Sequence, residues 1–164
     1  MGTGKSSVGR MTAEALGFTF LDTDDEIETR TGQTIAEIFT AHGESAFRDL
    51  ECRLVQELAT RQQTVIATGG GLPINPANLE SLKTHALVVC LWATPEKIFE
   101  RVRTNTHRPL LNDPDPLEKI RRLLVVREPH YRQADVLVNT EMRSMREVAM
   151  QVVHHFQMAQ AAQA

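Results

Sequence analysis

The stretch "MGTGKSSVGR", residues 1–10, decides how the fold is read. Gly4-Lys5-Ser6 has the form of the end of a phosphate-binding loop, G-x-x-x-x-G-K-[ST], which runs from a strand into a helix. In such a loop, glycines let backbone N–H groups wrap a phosphate, the lysine reaches the outer phosphates, and the next hydroxyl holds Mg²⁺. With Gly4 as the second glycine, the first falls before Met1. The bland alternative is an accidental glycine-rich start. The residues after Lys5 argue against it: Val8, Met11, Ala15 and Leu16 recur at helical spacing up to Gly17, predicting a helix over Ser6–Leu16. A helix beginning there would offer its positive end to an anion.

Working outward, the 164 residues suit one domain with one substantial core. The net charge of -3 gives no bulk reason to expect nucleic acid or an anionic membrane as partner. Aromatics at 5% are too few for base-stacking platforms. Cys52 and Cys90 lack metal spacing and read as buried, reduced thiols. No apolar run approaches the roughly 20 residues of a membrane span, and no signal peptide is visible. A cytoplasmic protein is expected.

Strand and helix patterns alternate. "FTFLDTD" reads as a strand ending in carboxylates, and Ile35–Thr40 and Gly43–Thr60 as helical pieces. "TVIATGGG" is a strand running into glycines, and the continuous apolar run "ALVVCLWAT" suits a parallel strand covered on both faces. Pro95–Arg103 is the next helix, capped by Thr94. "NTHRPLLNDPDP" is a turn-rich loop able to move. Pro116–Arg132 is helical and must end or bend near Pro129. "ADVLVNT" is a last strand and Ser144–Gln160 a closing helix. The alternation predicts an α/β layered fold with a parallel sheet.

Four features carry chemistry. Asp22 and Asp24 stand two apart at a strand end, where alternation would aim both to one side, one toward a metal shell and one toward a substrate hydroxyl. The plain alternative is that Asp24 caps the next helix. Gly69, Gly70 and Gly71 in succession cost backbone entropy and point to close approach of a group such as a ligand, with a plain turn as the alternative. Arg48, Arg108 and Arg127 lie off the ordinary charged helix faces and suit a carboxylate and a transferring phosphoryl group. Glu51, three residues after Arg48, would orient it. The histidines show no metal spacing, and Met142, Met145, Met150 and Met158 fill core gaps or lie on the surface.

"GTGKSSVGR", "FLDTDDEIETRTGQTIAEIF", "GESAFRDLE", "ATGGG", "RPLL" and "REPHYRQAD" occur in the order seen in shikimate kinases, and the resemblance covers nearly the whole chain, thinning after about Thr140. It implies a P-loop NTPase fold of the nucleoside-monophosphate-kinase type, a five-stranded parallel sheet with helices on both faces. It also implies transfer of the γ-phosphoryl of ATP to the 3-hydroxyl of shikimate, with ATP and Mg²⁺ required. On this sequence Gly2, Thr3, Gly4, Lys5, Ser6 and Ser7 resemble the ATP phosphate loop. Ser6 and, through water, Asp22 resemble the metal ligands. Asp24 is similar to the residue that binds the substrate hydroxyls and helps activate the nucleophile. Arg48 and Arg127 resemble the pair gripping the substrate carboxylate, with Gly69, Gly70 and Gly71 along the ring and Phe39 and Phe47 as pocket walls. Arg101 resembles the residue stacking on adenine. Arg108 resembles the arginine of a lid loop, about 104–117, that closes on the phosphates. Lys5, Asp24 and Arg108 are thus the expected catalytic set, in a monomer that engages neither nucleic acid nor membrane.

The family loop often reads G-[FL]-M-G-T-G-K-S, so Met1 matches an internal methionine. The expectation is that the first, central strand of the sheet is absent from this sequence. Two neighbouring strands would then lack partners, and a buried unpaired group costs about 1–3 kcal/mol. The 164-residue chain is therefore expected to be unstable or poorly active. Another small-molecule kinase, such as a gluconate kinase, or an inactive nucleotide-binding fragment are the competing readings.

Overall fold

The computed structural model describes residues 2–103 and 114–162. The chain begins with helix α1 (Lys5–Leu16), strand β1 (Thr19–Asp22), helix α2 (Thr23–Thr31) and helix α3 (Ile35–Leu58). Next come strand β2 (Thr64–Ala67), a 3₁₀ turn (Leu72–Ile74), helix α4 (Pro76–His85) and strand β3 (Val89–Trp92). Helices α5 (Pro95–Val102) and α6 (Pro116–Tyr131), strand β4 (Val136–Asn139) and helix α7 (Met145–Ala161) complete it.

All strand pairs are parallel, but they form two sheets of two. β1 pairs with β2, Thr19 opposite Thr64, and β3 pairs with β4, Val89 opposite Val136. No strand among the described residues joins the two pairs. The sequence-predicted sheet is therefore present as two parallel halves.

Alternation along β1 puts helices on both of its faces. Phe20 meets α1 at Gly9, where an added Cβ would lie 2.6 Å from the ring. Leu21 packs the other way, with Ile66, onto a core of Ile27, Ile38, Phe47, Leu54 and Leu58 from α2 and α3. A second core joins Val8 of α1, Val138 of β4, and Val148 and Ala149 of α7 beneath Val89 and Leu91. α5 and α6 close on Ala93, Ile98, Val102 and Ile120.

Helix boundaries obey local chemistry. Thr34 and Ser144 form capping boxes with Glu37 and Glu147. Gly17 ends α1 with φ 69°. α3 carries Gly43 at φ 79°, ψ 171°, so its two arms meet where the sequence predicts separate pieces. The sequence patterns do not predict α4, although Asn75-Pro76 is a cap with a first-turn proline, and Asn75 Oδ1 accepts from the Ala77 N–H at 3.0 Å.

α6 ends at Tyr131, near Pro129 as the sequence predicts. The proline lies in the last turn, and the carbonyl it leaves without an N–H partner is that of Val125, a residue 71% exposed and open to water. The structure corrects one expectation: Cys52 and Cys90 are free but only partly buried. Met142, Met145, Met150 and Met158 all lie on the surface.

Candidate active site

The loop at the head of α1 is built to receive an anion. Gly2 and Gly4 hold φ 63° and 86°, and Gly4 is the helix N-cap. No side chain caps α1 and no acidic residue occupies its first turn, so its leading N–H groups and dipole are left for a ligand. Gly2 is required by packing as well, because a Cβ there would lie 2.9 Å from Val102 Cγ1. Thr3 is buried, with its hydroxyl unpartnered among the described residues.

Beside this loop lies the end of β1. Ser6 Oγ donates to Asp22 Oδ2 at 2.6 Å. Asp22 Oδ1 accepts from the Asp24 N–H at 3.1 Å, so Asp22 rather than Asp24 caps α2. Strand alternation therefore does not aim the two carboxylates: β1 stops at Asp22, and the first turn of α2 orients Asp24. The adjacent hydroxyl and carboxylate of Ser6 and Asp22 are hard oxygen donors of the kind Mg²⁺ takes.

Asp24 points at the glycines. Its Oδ1 is buried and unpartnered among the described residues, 2.5 Å from where a Gly69 Cβ would stand. Burial first, and the Asp22 charge second, push the Asp24 carboxyl above its usual range, while the nearby Lys5 ammonium pulls it back. The Gly69 N–H donates to Thr23 Oγ1 at 3.0 Å, and Thr23 is wholly buried. At Gly71 a Cβ would lie 2.8 Å from Arg48 Nη2. Only glycine leaves these polar groups room against the turn.

Arg48 is held by Glu51, whose Oε2 accepts from Nη1 at 2.7 Å, and by Glu44, which accepts from Nη2 at 2.7 Å. Burial opposes the guanidinium charge, but these two carboxylates keep the group's proton affinity above its ordinary value. Glu51 is fully buried, its Oε1 has no partner among the described residues, and burial pushes its carboxyl up against the pull of Arg48. Glu51 thus orients Arg48 as the spacing predicts. Tyr131 Oη donates to the Gly70 carbonyl at 2.6 Å, a contact that sequence reasoning missed. Its one signal was position: it is the chain's only tyrosine and stands one helical turn after Arg127.

An anion loop, a hydroxyl–carboxylate pair, and a glycine turn flanked by a carboxylate and an arginine thus form one continuous arrangement. The family model described as shikimate kinase matches residues 1–157. The chain belongs to the shikimate kinase family. The shikimate kinase of Thermodesulfovibrio yellowstonii is 43% identical over 157 residues, covering 96% of this chain and 91% of that one. That of Thiobacillus denitrificans is 47% identical over 146 residues, covering 88% of this chain and 80% of that one. Among solved structures, the shikimate kinase from Acinetobacter baumannii in complex with shikimate matches with a TM-score of 0.90. Its identity is 40%, covering 97% of this chain and 89% of that chain. The shikimate kinase from Bacteroides thetaiotaomicron matches with a TM-score of 0.89 at 31% identity, covering 96% and 94%. The architecture is the P-loop NTPase fold, and the chain is a kinase of that class.

Other residues marked by the shikimate kinase resemblance occupy varied places. Phe47 is only 4% exposed and sits in the α2–α3 core, with Phe39 partly buried against it at 5.1 Å between ring centroids. Phe47 therefore supports the wall rather than forming its surface, because its helix face points into the core. Arg101 donates through Nη1 to Thr140 Oγ1 at 2.8 Å and through Nη2 to the Thr140 carbonyl, which fixes its guanidinium beside β4. Arg127 lies near the Tyr131 hydroxyl, where its charge opposes the upward push of burial on the phenol. Arg108 and most of the expected lid loop lie outside the described residues. Among the described residues no helix is long and apolar enough to cross a membrane.

Proposed function

We propose that this chain transfers the γ-phosphoryl group of ATP to the 3-hydroxyl of shikimate, forming shikimate 3-phosphate and ADP. The observation that carries this reading is the convergence of Asp24 Oδ1 and the Arg48 guanidinium on the 69–71 turn. This proximity supports reading Asp24 as the proton acceptor and Arg48 as the carboxylate receptor of one small surface.

The amides of residues 2–7 and the Lys5 ammonium hold the β- and γ-phosphates. Ser6 and, through water, Asp22 would hold Mg²⁺, which would offset phosphate charge. Arg101 flanks the adenine. Arg48 and Arg127 grip the substrate carboxylate beside Gly69, Gly70 and Gly71, with Phe39 along the wall. The 3-hydroxyl oxygen forms the new bond to the γ-phosphorus as the bond to the β–γ bridging oxygen breaks. Its proton passes to Asp24, whose raised proton affinity suits that role. Lys5 and Arg108 neutralise charge spread over the transferring group, and catalysis is otherwise positioning. The unit is one domain over residues 1–164 that acts as a monomer in the cytoplasm, which sedimentation velocity would check.

Coupled ADP release tests the assignment. Turnover with shikimate, and little with gluconate or nucleoside monophosphates, is the expected outcome. Preference for either of those acceptors, or none at all, would overturn it.

A further inference from the structure

We infer that Tyr131 is a positioning residue for the acceptor site: its hydroxyl holds the Gly70 carbonyl, aims the Gly71 N–H, and ties the helix of Arg127 to the glycine turn. The inference rests on the shikimate reading above and names a residue to which that reading gives no task.

The bond spans 61 positions in sequence and is the side-chain bond that links α6 to the turn at 2.6 Å. Tyr131 is the last residue of α6, and it reaches Gly70 because the helix continues past Pro129. A helix ending at Pro129 would leave the phenol free of this geometry. Gly70 and Gly71 have no side chains to restrain their peptide, and glycine backbone turns more freely than any other. Their shared peptide is trans, as is every peptide bond among the described residues, so its carbonyl and N–H point in opposite directions. Fixing the carbonyl on Tyr131 therefore sets the direction of the Gly71 N–H.

That N–H has work available. Among the described residues, neither the Gly70 nor the Gly71 N–H donates to any acceptor, whereas the Gly69 N–H is taken by Thr23. Among the described residues the turn thus presents two free donors, with Gly71 next to the Arg48 guanidinium. Backbone donors beside a guanidinium suit a carboxylate or hydroxyl oxygen. On the other side, Arg127 and Tyr131 share one helix face at i and i+4, so the Arg127 charge lies near the phenol. Burial keeps the phenol protonated and hence a donor. One hydroxyl therefore restrains both a receptor backbone and the element carrying a receptor arginine.

The test is Tyr131→Phe, which removes one oxygen and keeps the ring. Shikimate is titrated into wild type and variant by calorimetry, and steady-state kinetics are run with each substrate varied. The expected result is a rise of about three- to tenfold in Kd and KM for shikimate, with kcat and KM for ATP within about twofold of wild type. Unchanged shikimate binding overturns the inference, as does an equal loss across kcat and both KM values, which would mark a merely structural bond. Should the variant fold poorly, wild type grown with 3-fluorotyrosine carries its only label at residue 131. Its fluorine resonance should move on adding shikimate, and a stationary resonance counts against the idea. A wild-type chain that binds no shikimate removes the functional reading and this inference together; a normal wild type beside an unaltered variant removes this inference alone.

Discussion

At the level of single residues, the site concentrates buried carboxylate where a stable core would place none. Among the described residues Asp24 and Glu51 each hold an unpartnered oxygen near Gly69, and burial raises the proton affinity of both. Asp24→Asn keeps the shape and removes the repulsion, so it should lower turnover about 10²–10⁴-fold. The same change should raise stability by about 1 kcal/mol, or roughly 2–4 °C in Tm. A melt no higher than wild type would sink the stability half of this claim. Glu51 gives a pH test with a definite sign. Its carboxyl in the folded chain lies above the ordinary glutamate value, chiefly through burial. Its contribution is thus fully present below the unfolded pKa and lost as pH rises through the folded one. The Tm difference between Glu51→Gln and wild type should therefore move in the variant's favour from about pH 4.5 to pH 7; a flat difference would contradict the shift. Arg108→Ala is the companion kinetic test. Acting on transition-state charge, Arg108 should affect kcat on the order of 10³-fold while KM for ATP changes only a few-fold.

At the level of elements, most of what positions these residues is legible in the sequence, for local reasons. The helix after Lys5, its stop at Gly17, the break at Gly43 and the cap at Thr94 all depend on neighbours within one or two turns. What escapes the sequence depends on distant partners. Alternation gives the wrong account of Asp24 because the cap at Asp22 starts a helix one residue later. Tyr131 gains its role only where α6 meets the turn after β2. The α1–β1 contact shows the same dependence. Gly9 lies mid-helix, where alanine would be favoured by about 1 kcal/mol. Yet a Cβ there falls 2.6 Å from Phe20 Cε2, and the Phe20 ring also carries Arg10 at 4.5 Å. Overpacking costs about 1–3 kcal/mol, so Gly9→Ala should destabilise by about 1 kcal/mol net. Combined with Phe20→Leu it should cost less than the sum of the two changes. Strict additivity in urea melts would show that the ring simply moves aside.

Across the whole molecule, the proposed acceptor and nucleotide groups fall largely on different half-sheets. Strand pairing is long-range information, which is why the sequence predicts parallel strands and yet the structure alone gives their grouping as β1–β2 and β3–β4. Each pair has its own apolar core: α2 and α3 on the first, α1 and α7 on the second. Of the proposed acceptor groups, Asp24, Arg48 and Gly69–Gly71 belong to the first pair and its helices, and Arg127 belongs to α6, which packs on Ala93 after β3. The Thr140 contact that fixes Arg101 belongs to the second, and α1 touches both through Gly9 and Val8. Ligand binding stabilises the elements that open to release it. Shikimate should therefore slow amide exchange mainly in α2, α3, the 69–71 turn and the end of α6. ADP should slow it mainly at the head of α1, in α5 and in the segment around Thr140, with the rest of α1 answering to both. Exchange measured by mass spectrometry on peptides from each half would separate these patterns. If either ligand protected both halves equally, the two cores would open as one unit, and the division of labour between the half-sheets would have no energetic basis.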